Sequence, residues 1–422
     1  MTIRIEGNPG KQSSRYFALL LFSVLTLVLL GCSKGETSGP NEIRIGVVLP
    51  VSGREATPGQ FQKEGIELAV HQINQNGGIN VRASGHKLPL KIFFYDDASD
   101  PAKSASLVEH TMTSDNVVAV LGGYSSTLGD AQSVMADRYH TPWIATGAGA
   151  TSIFHHGYQW VFGALSPVNL LGSTAVQFLG SLVDQGKLRK GLKVALAVEN
   201  TDHGTDYANG VQEWINSHPG YFEIVLNEKF PLALMNYSNI LRKVKDSGAD
   251  IFLADAHLED YIAMARQYIQ TGMYHQMISY GARGPEREAR KFLGAGADYL
   301  FAGNWWSENL PYPQSANFVK AYIEFTGHNT DSWYAAVSFD ATRALAAAIE
   351  NAGSLDKTAI RDALRAGTLK GSVLPGQVFH FGSNGQIETP FVIVQNQPFG
   401  EADIVFPPDA ANGKATAPRP RK

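Results

Sequence analysis

The sequence has one cysteine, Cys32, in 422 residues, so no disulfide can form within the chain. Charged residues make up only 18% and the formal net charge is −4. No block of Lys and Arg is present to neutralise phosphates, which argues against a nucleic-acid partner. The apolar run at residues 17–30 falls short of the about 20 residues that a permanent membrane-spanning helix needs. Enzymatic signatures are missing too. There is no G-x-S-x-G elbow, no H-E-x-x-H, no phosphate loop, and no dinucleotide fingerprint after the first strand. Catalysis requires a convergent nucleophile, base and stabilising group, and none is visible, so the chain reads as a non-enzyme with no cofactor and no metal. What is abundant is apolar residue, at 44%, and glycine, at 42 positions. That composition supports large cores with many turns and close backbone approaches. The length suggests two or more domains at about 100–200 residues each.

The N-terminus has the pattern of an export signal. Arg4, Lys11 and Arg15 precede the apolar run, which ends in Leu29-Leu30-Gly31-Cys32. The run has signal-peptide size, and its end resembles a bacterial lipobox, in which the cysteine is acylated and becomes the new N-terminus. Residues 1–32 are therefore expected to be a lipoprotein signal ending at Cys32. Residues 33–42, small and polar, are expected to be a flexible tether.

From residue 43 onward, strands and helices alternate. Residues 43–49 form a short β-branched apolar run, a buried strand by pattern. A Pro/Gly-rich loop is expected at 50–59, then a helix at 65–75 with Ile66, Ala69, Val70 and Ile73 on one face. Further strand–helix pairs fall at 90–95 with 101–113 and at 117–121 with 126–139, followed by a strand at 142–145. Strands recur at 192–198, 224–230, 251–254, 277–280 and 299–302, with helices near 205–217, 237–247 and 258–272. Near-continuous apolar strands alternating with helices imply an α/β fold with parallel sheets covered on both faces. The repeat of pattern implies two Rossmann-like lobes. A ligand cleft is expected where the strand carboxyl ends converge.

Several stretches, in order, carry a family resemblance: Gly65-Ile66-Glu67-Leu68-Ala69-Val70 through Asn76-Gly77-Gly78-Ile79, Tyr95-Asp96-Asp97-Ala98-Ser99-Asp100-Pro101, Leu121-Gly122-Gly123-Tyr124-Ser125-Ser126-Thr127, and Phe339-Asp340-Ala341-Thr342-Arg343. Together they resemble the branched-chain amino acid and amide class of periplasmic binding proteins over nearly the whole mature chain. The resemblance implies a type I fold, in which a three-strand hinge joins the lobes and closes them around a solute. Lobe one is expected at residues 43–163 and 307–366, lobe two at 164–306 and 367–410, and a tail at 411–422. It also implies an extracytoplasmic protein serving a membrane ABC permease and binding a small polar solute: an amino acid, amide or carboxylate. The alternative is a sensory binding protein reporting to a membrane receptor.

The resemblance places the lobe-one grip at Tyr124, Ser125 and Ser126. There a strand ends and a helix begins, exposing unpaired N–H groups and a partial positive charge suited to an anion. Ser126 as a simple N-cap is the other reading. A second grip is expected at Gly147, Ala148 and Gly149, where Gly149 replaces the usual threonine; a flexible turn is the alternative. In lobe two, His203 stands where an aromatic wall is usual, and Asp255-Ala256-His257 stands where a tyrosine is common. An amino-acid ligand would need a carboxylate for its ammonium, and Asp202, Asp255 and Glu286 are the candidates. Arg283 would instead favour a second anionic group. Trp305 and Trp306 are expected either to wall the pocket or to pack beneath the hinge. Pro58 occupies a usual aromatic lid position.

Overall fold

The computed structural model describes residues 1–4, 40–330 and 333–421. The chain divides into residues 1–41 and 42–422. The expected signal core, Cys32 and the tether up to residue 39 lie outside the described residues. Among the described residues no helix is long and apolar enough to cross a membrane.

Residues 42–422 contain two sheets. The first is built from β1 (Ile43–Leu49), β2 (Leu90–Asp96), β3 (Ala119–Gly122), β4 (Trp143–Ala145) and β5 (Val161–Gly163), with α1 (Ala56–Gln75), α2 (Pro101–Ser114), α3 (Ser126–Arg138) and α4 (Thr151–His155) between them. Its order is β2-β1-β3-β4-β5, all parallel. Val47 is in register with Phe94 on one side and Leu121 on the other. Only Arg44 in β1 is partly exposed, as expected for a parallel strand covered on both faces. The first helix starts earlier than the sequence suggested, because Pro58 and Gly59 lie in its first turn. A proline there loses no hydrogen bond, since the first N–H groups have no intrahelical partner. Asp100 caps α2 by accepting from Lys103 N at 2.8 Å, with Pro101 as first helical residue.

After β5 the chain enters the second lobe through α5 (Val168–Asp184). There follow β6 (Leu192–Glu199), α6 (Asp202–Ser217), β7 (Phe222–Phe230), α7 (Ser238–Asp246), β8 (Ile251–Asp255), α8 (Leu258–Gln270), β9 (Met277–Tyr280), α9 (Arg287–Leu293) and β10 (Phe301–Asn304). Three helices, α10 (Pro313–Thr326), α11 (Trp333–Ala352) and α12 (Lys357–Ala366), then return to lobe one. The packing of α11 on α1 is close enough that a Cβ on Gly65 would lie 2.2 Å from Ala335 O. Finally β11 (Val392–Asn396) and β12 (Ala402–Phe406) join the second sheet antiparallel, giving the order β12-β11-β10-β9-β8-β6-β7. Residues beyond 411 dock on this lobe: Thr416 N donates to Gln395 Oε1 at 2.8 Å and Arg419 N to Gln276 O at 2.9 Å.

Three chain crossings join the lobes and are bonded to one another. Thr389 N donates to Ser166 Oγ at 2.7 Å, and Trp305 Nε1 donates to Ser166 O at 3.0 Å. Trp305 also packs on Trp333 and Phe391, with ring centroids 4.5 and 5.2 Å away. Trp306 Nε1 donates to Ser315 Oγ at 2.9 Å and its ring meets Phe318 edge-on. Both indoles are thus buried where the chain crosses over, each with its N–H satisfied, which is what a buried tryptophan requires.

Candidate functional site

In each sheet the strand order reverses once, between β1 and β3 in lobe one and between β6 and β8 in lobe two. Loops leaving the carboxyl ends of strands at such switch points diverge and leave a crevice for a ligand. The loops after β1, β3 and β4 meet those after β6, β8 and β9, and contacts between them run from lobe to lobe.

The most charged of these contacts centres on His257. Its Nδ1 lies 2.7 Å from Glu55 Oε1 in lobe one and its Nε2 lies 3.4 Å from Glu199 Oε1 in lobe two. All three side chains are buried. Burial alone would strip the imidazole of its proton, but Glu199 and Glu55 outweigh it and raise His257 well above its usual range. The reverse holds for the acids. Burial opposes their charge, yet His257 lowers Glu55 and brings Glu199 down to about 2. The group is therefore an imidazolium between two carboxylates. Nearby, Arg54 pairs with Asp260 across the lobes, and Tyr237 Oη donates to the same Asp260 at 2.5 Å.

Arg283, on the loop after β9, is 4% exposed. Its Nη2 donates to Tyr124 Oη of lobe one at 3.0 Å. Tyr124 Oη lies 3.2 Å from Tyr334 Oη, which donates to Glu286 Oε1 at 3.2 Å. The guanidinium sits 5.5–5.9 Å from the ring centroids of Tyr124, Trp333 and Tyr334, within cation–π range. Its Nε and Nη1 make no hydrogen bond among the described residues, although Nη1 is 3.7 Å from Glu286 Oε1. Burial, opposed by the Tyr124 phenol's surroundings only in part, pushes the Tyr124 hydroxyl up to about 12, so it stays a neutral partner for the arginine.

At the rim, Asp206 on α6 accepts from Thr151 N at 2.6 Å and from Thr151 Oγ1 at 3.0 Å. Asp202 accepts from Ser152 Oγ at 2.7 Å. The two lobes are thus bonded to each other at the centre and at the edge of the cleft.

Of the residues singled out in the sequence, Ser125 and Ser126 are buried at the start of α3. The cap position is Ser125, whose side chain makes no cap bond, and Ser126 is the first helical residue. Ser126 is therefore not an N-cap; its Oγ accepts from Ala150 N at 3.3 Å. A Cβ on Gly147 would lie 2.6 Å from Gln62 Nε2 and from Tyr124 Cδ2, so this glycine makes room for both. Ala148 is fully buried near Gly129 of α3. Gly149 O accepts from Val168 N at 3.2 Å and Gln386 Nε2 at 3.3 Å, bonds that tie the loop to the crossings. His203 Nε2 lies 3.3 Å from Asp255 Oδ2. Asp202 is at the exposed rim and Asp255 is buried behind His203. Pro58 lies in α1. Sequence reasoning did not single out Arg54, Glu55, Gln62, Trp333 or Tyr334, and it met Glu199 and His257 only as members of the loop stretches 199–204 and 255–257, with no role of their own. These residues acquire a role only when distant segments meet.

The site thus consists of two α/β lobes, three bonded crossings and polar loops that meet between the lobes. A family model described as periplasmic binding protein matches residues 42–401. The chain is 24% identical over 405 residues to Leu/Ile/Val-binding protein homolog 7 of Brucella abortus (strain 2308), covering 94% of this chain and 99% of that protein. In fold it is similar to the branched-chain amino acid transporter substrate-binding protein LivJ of Streptococcus pneumoniae in complex with isoleucine, with a TM-score of 0.74, 21% identity, and 89% and 100% of the two chains covered. It is similar to the same degree, TM-score 0.74 with 18% identity over 89% and 98% of the chains, to an ABC transporter solute-binding protein of R. palustris in complex with benzoate. The chain belongs to the periplasmic binding protein family, in its leucine-binding-protein-like type I form. The family is one of solute-binding proteins and not of enzymes.

Proposed function

We propose that this protein is the extracytoplasmic binding component of an ABC uptake system, anchored through acylated Cys32, and that it traps a small carboxylate by closure of its two lobes. The observation that carries the solute class is Arg283. A buried guanidinium with two nitrogens lacking hydrogen bonds is costly to keep, and its planar fork matches a carboxylate. The three rings around it suit a solute with a flat or apolar body. Of the acids that an ammonium would need, Asp202 accepts from Ser152 and Glu286 from Tyr334 beside Arg283, while Asp255 lies 3.3 Å from His203. A solute with a carboxylate and no ammonium fits this inventory best. Lobe one supplies Tyr124, Gln62 and the start of α3, and lobe two supplies Arg283. Because the contacts from the two lobes coexist only when closed, a solute that bridges them shifts the population to that state.

The test is a thermal-shift screen of residues 33–422 against aromatic and aliphatic carboxylates, amides and amino acids. A solute at about 100 times its Kd stabilises by about 2.7 kcal/mol. Carboxylates without an ammonium should give the largest shifts. If only amino acids stabilise the protein, the assignment of the solute class is wrong.

A further inference from the structure

Lobe two carries a second cavity that shares no residue with the interlobe cleft. It lies between α8, β9 and the segment 295–300, with Arg419 and Arg421 at its edge. Its volume is about 390 Å³, within the about 300–1,000 Å³ usual for small-molecule sites. Ile269, Met273, Ile278 and Leu300 make its wall apolar, and no carboxylate lines it among the described residues. Two polar features break the apolar lining. The first is Tyr280, 1% exposed, whose hydroxyl has no hydrogen-bond partner among the described residues. The second is a pair of arginines at the mouth, Arg419 and Arg421, with guanidinium carbons 5.6 and 4.7 Å from the centroid of the Tyr274 ring. The arginine segment is held in place. Arg419 Nε donates to His275 O at 3.0 Å, and Tyr274 Oη donates to Arg419 O at 2.7 Å. His275, buried behind Tyr268 and bonded to its hydroxyl at 2.7 Å, is lowered to about 4 by burial and then by Arg419, so it adds no charge at neutral pH.

We propose that this cavity is a second binding site, for a small apolar carboxylate. The tail lies among Ile269, Met273 and Ile278, where its apolar surface is removed from water. The carboxylate lies at the mouth with Arg419 and Arg421, and no acid lines the cavity among the described residues. The Tyr280 hydroxyl gives a polar contact inside. Inorganic anions would satisfy the arginines and leave the cavity empty, so the apolar tail is part of the recognition.

The experiment is calorimetric titration of octanoate into the purified protein carrying Arg283→Ala, so that the cleft assigned above does not contribute. One octanoate per chain is expected to bind. Adding Arg419→Glu with Arg421→Glu should weaken it at least tenfold, and adding Tyr280→Phe instead should weaken it severalfold. Arg421→Glu alone serves if the double change disturbs folding. No octanoate binding in the Arg283→Ala protein, binding indifferent to both charge reversals, or inorganic phosphate binding as tightly as octanoate would each overturn the proposal. Failure of the solute screen for the cleft leaves this result untouched, because the two sites share no residue.

Discussion

Glu55 Oε1 of lobe one lies 2.7 Å from His257 Nδ1 of lobe two, and the other ring nitrogen of the same histidine faces Glu199. The ion triad therefore draws on both lobes, and neither lobe holds it alone. Two carboxylates buried against each other would repel, and the imidazolium is what allows them to stay ionised.

This triad fixes a pH dependence. The imidazole of His257 is raised above its ordinary value, so its contribution is complete below about pH 6.5 and disappears as the pH rises through the raised value. Glu55 and Glu199 are lowered, the latter to about 2. Their contribution is complete above about pH 4.3 and disappears as the pH falls through the lowered values. The charged groups facing His257 are Glu199 and Glu55, and Arg54 and Arg283 act in turn on Glu55. His257→Gln should lower the melting temperature most between about pH 4.3 and 6.5, by the equivalent of up to about 3–5 kcal/mol, with the gap to wild type narrowing on both sides. Melting curves of both proteins from pH 2 to 10 check this. A gap independent of pH would mean that the histidine acts by packing alone.

Much of this architecture was legible in the sequence, and the reason is periodicity. The run Ile43–Leu49 is apolar almost throughout, and a strand covered on both faces has no other way to be written. Helix starts were less legible. Pro58 and Gly59 have loop composition, yet both are tolerated in a first helical turn, so α1 begins at Ala56. Strands β11 and β12 were not anticipated, because both are short and they add antiparallel at one end of the sheet, where few residues carry the pattern. For the site, the loops after β3 and β8 were visible because strand ends locate them. Glu55 and Tyr334 were not, since an acid inside a Pro/Gly-rich loop and a tyrosine early in a helix look like surface and core. Their role depends on His257 and Arg283 across the cleft.

Arg283 separates two kinds of recognition. Arg283→Lys keeps a charge and loses the planar fork, whereas Arg283→Ala loses both. Charge-assisted hydrogen bonds contribute about 1.5–3 kcal/mol each, so affinity for a carboxylate solute should fall about 10–100-fold in the alanine variant. The lysine variant should lie between it and wild type. Calorimetry with the strongest carboxylate from the thermal screen decides the matter. Unchanged affinity in Arg283→Ala would remove this residue from the site.

A prediction about stability alone comes from the contact of α5 and α6. A Cβ on Gly210 would lie 1.7 Å from Asn169 O, and one on Gly172 would lie 2.1 Å from Tyr207 O. Both obstacles are backbone atoms of the facing helix, which cannot swing aside as a side chain can. Gly210→Ala gains helix propensity, but the helices must separate to accept it, at a typical cost of about 1–3 kcal/mol. Its urea midpoint should fall with the slope unchanged.

Asp206 offers the cleanest separation of closing from folding. Its carboxylate accepts from Thr151 N at 2.6 Å and from Thr151 Oγ1 at 2.9–3.0 Å. The aspartate belongs to α6 of lobe two and the threonine begins α4 of lobe one, so these bonds exist only while the lobes are together. Neither residue is near Arg283 in the chain, and Asp206 is partly exposed, so each lobe folds without the pair. Asp206→Ala removes hydrogen bonds to a charged acceptor worth about 1.5–3 kcal/mol each at most, and it removes them from the closed state alone. The solute should therefore dissociate faster, with the association rate and the melting temperature of the solute-free protein changed far less. Stopped-flow binding kinetics with the screened carboxylate measure both rates. A slower association with unchanged dissociation would instead mean that the rim guides the solute into an open cleft and does not hold it shut.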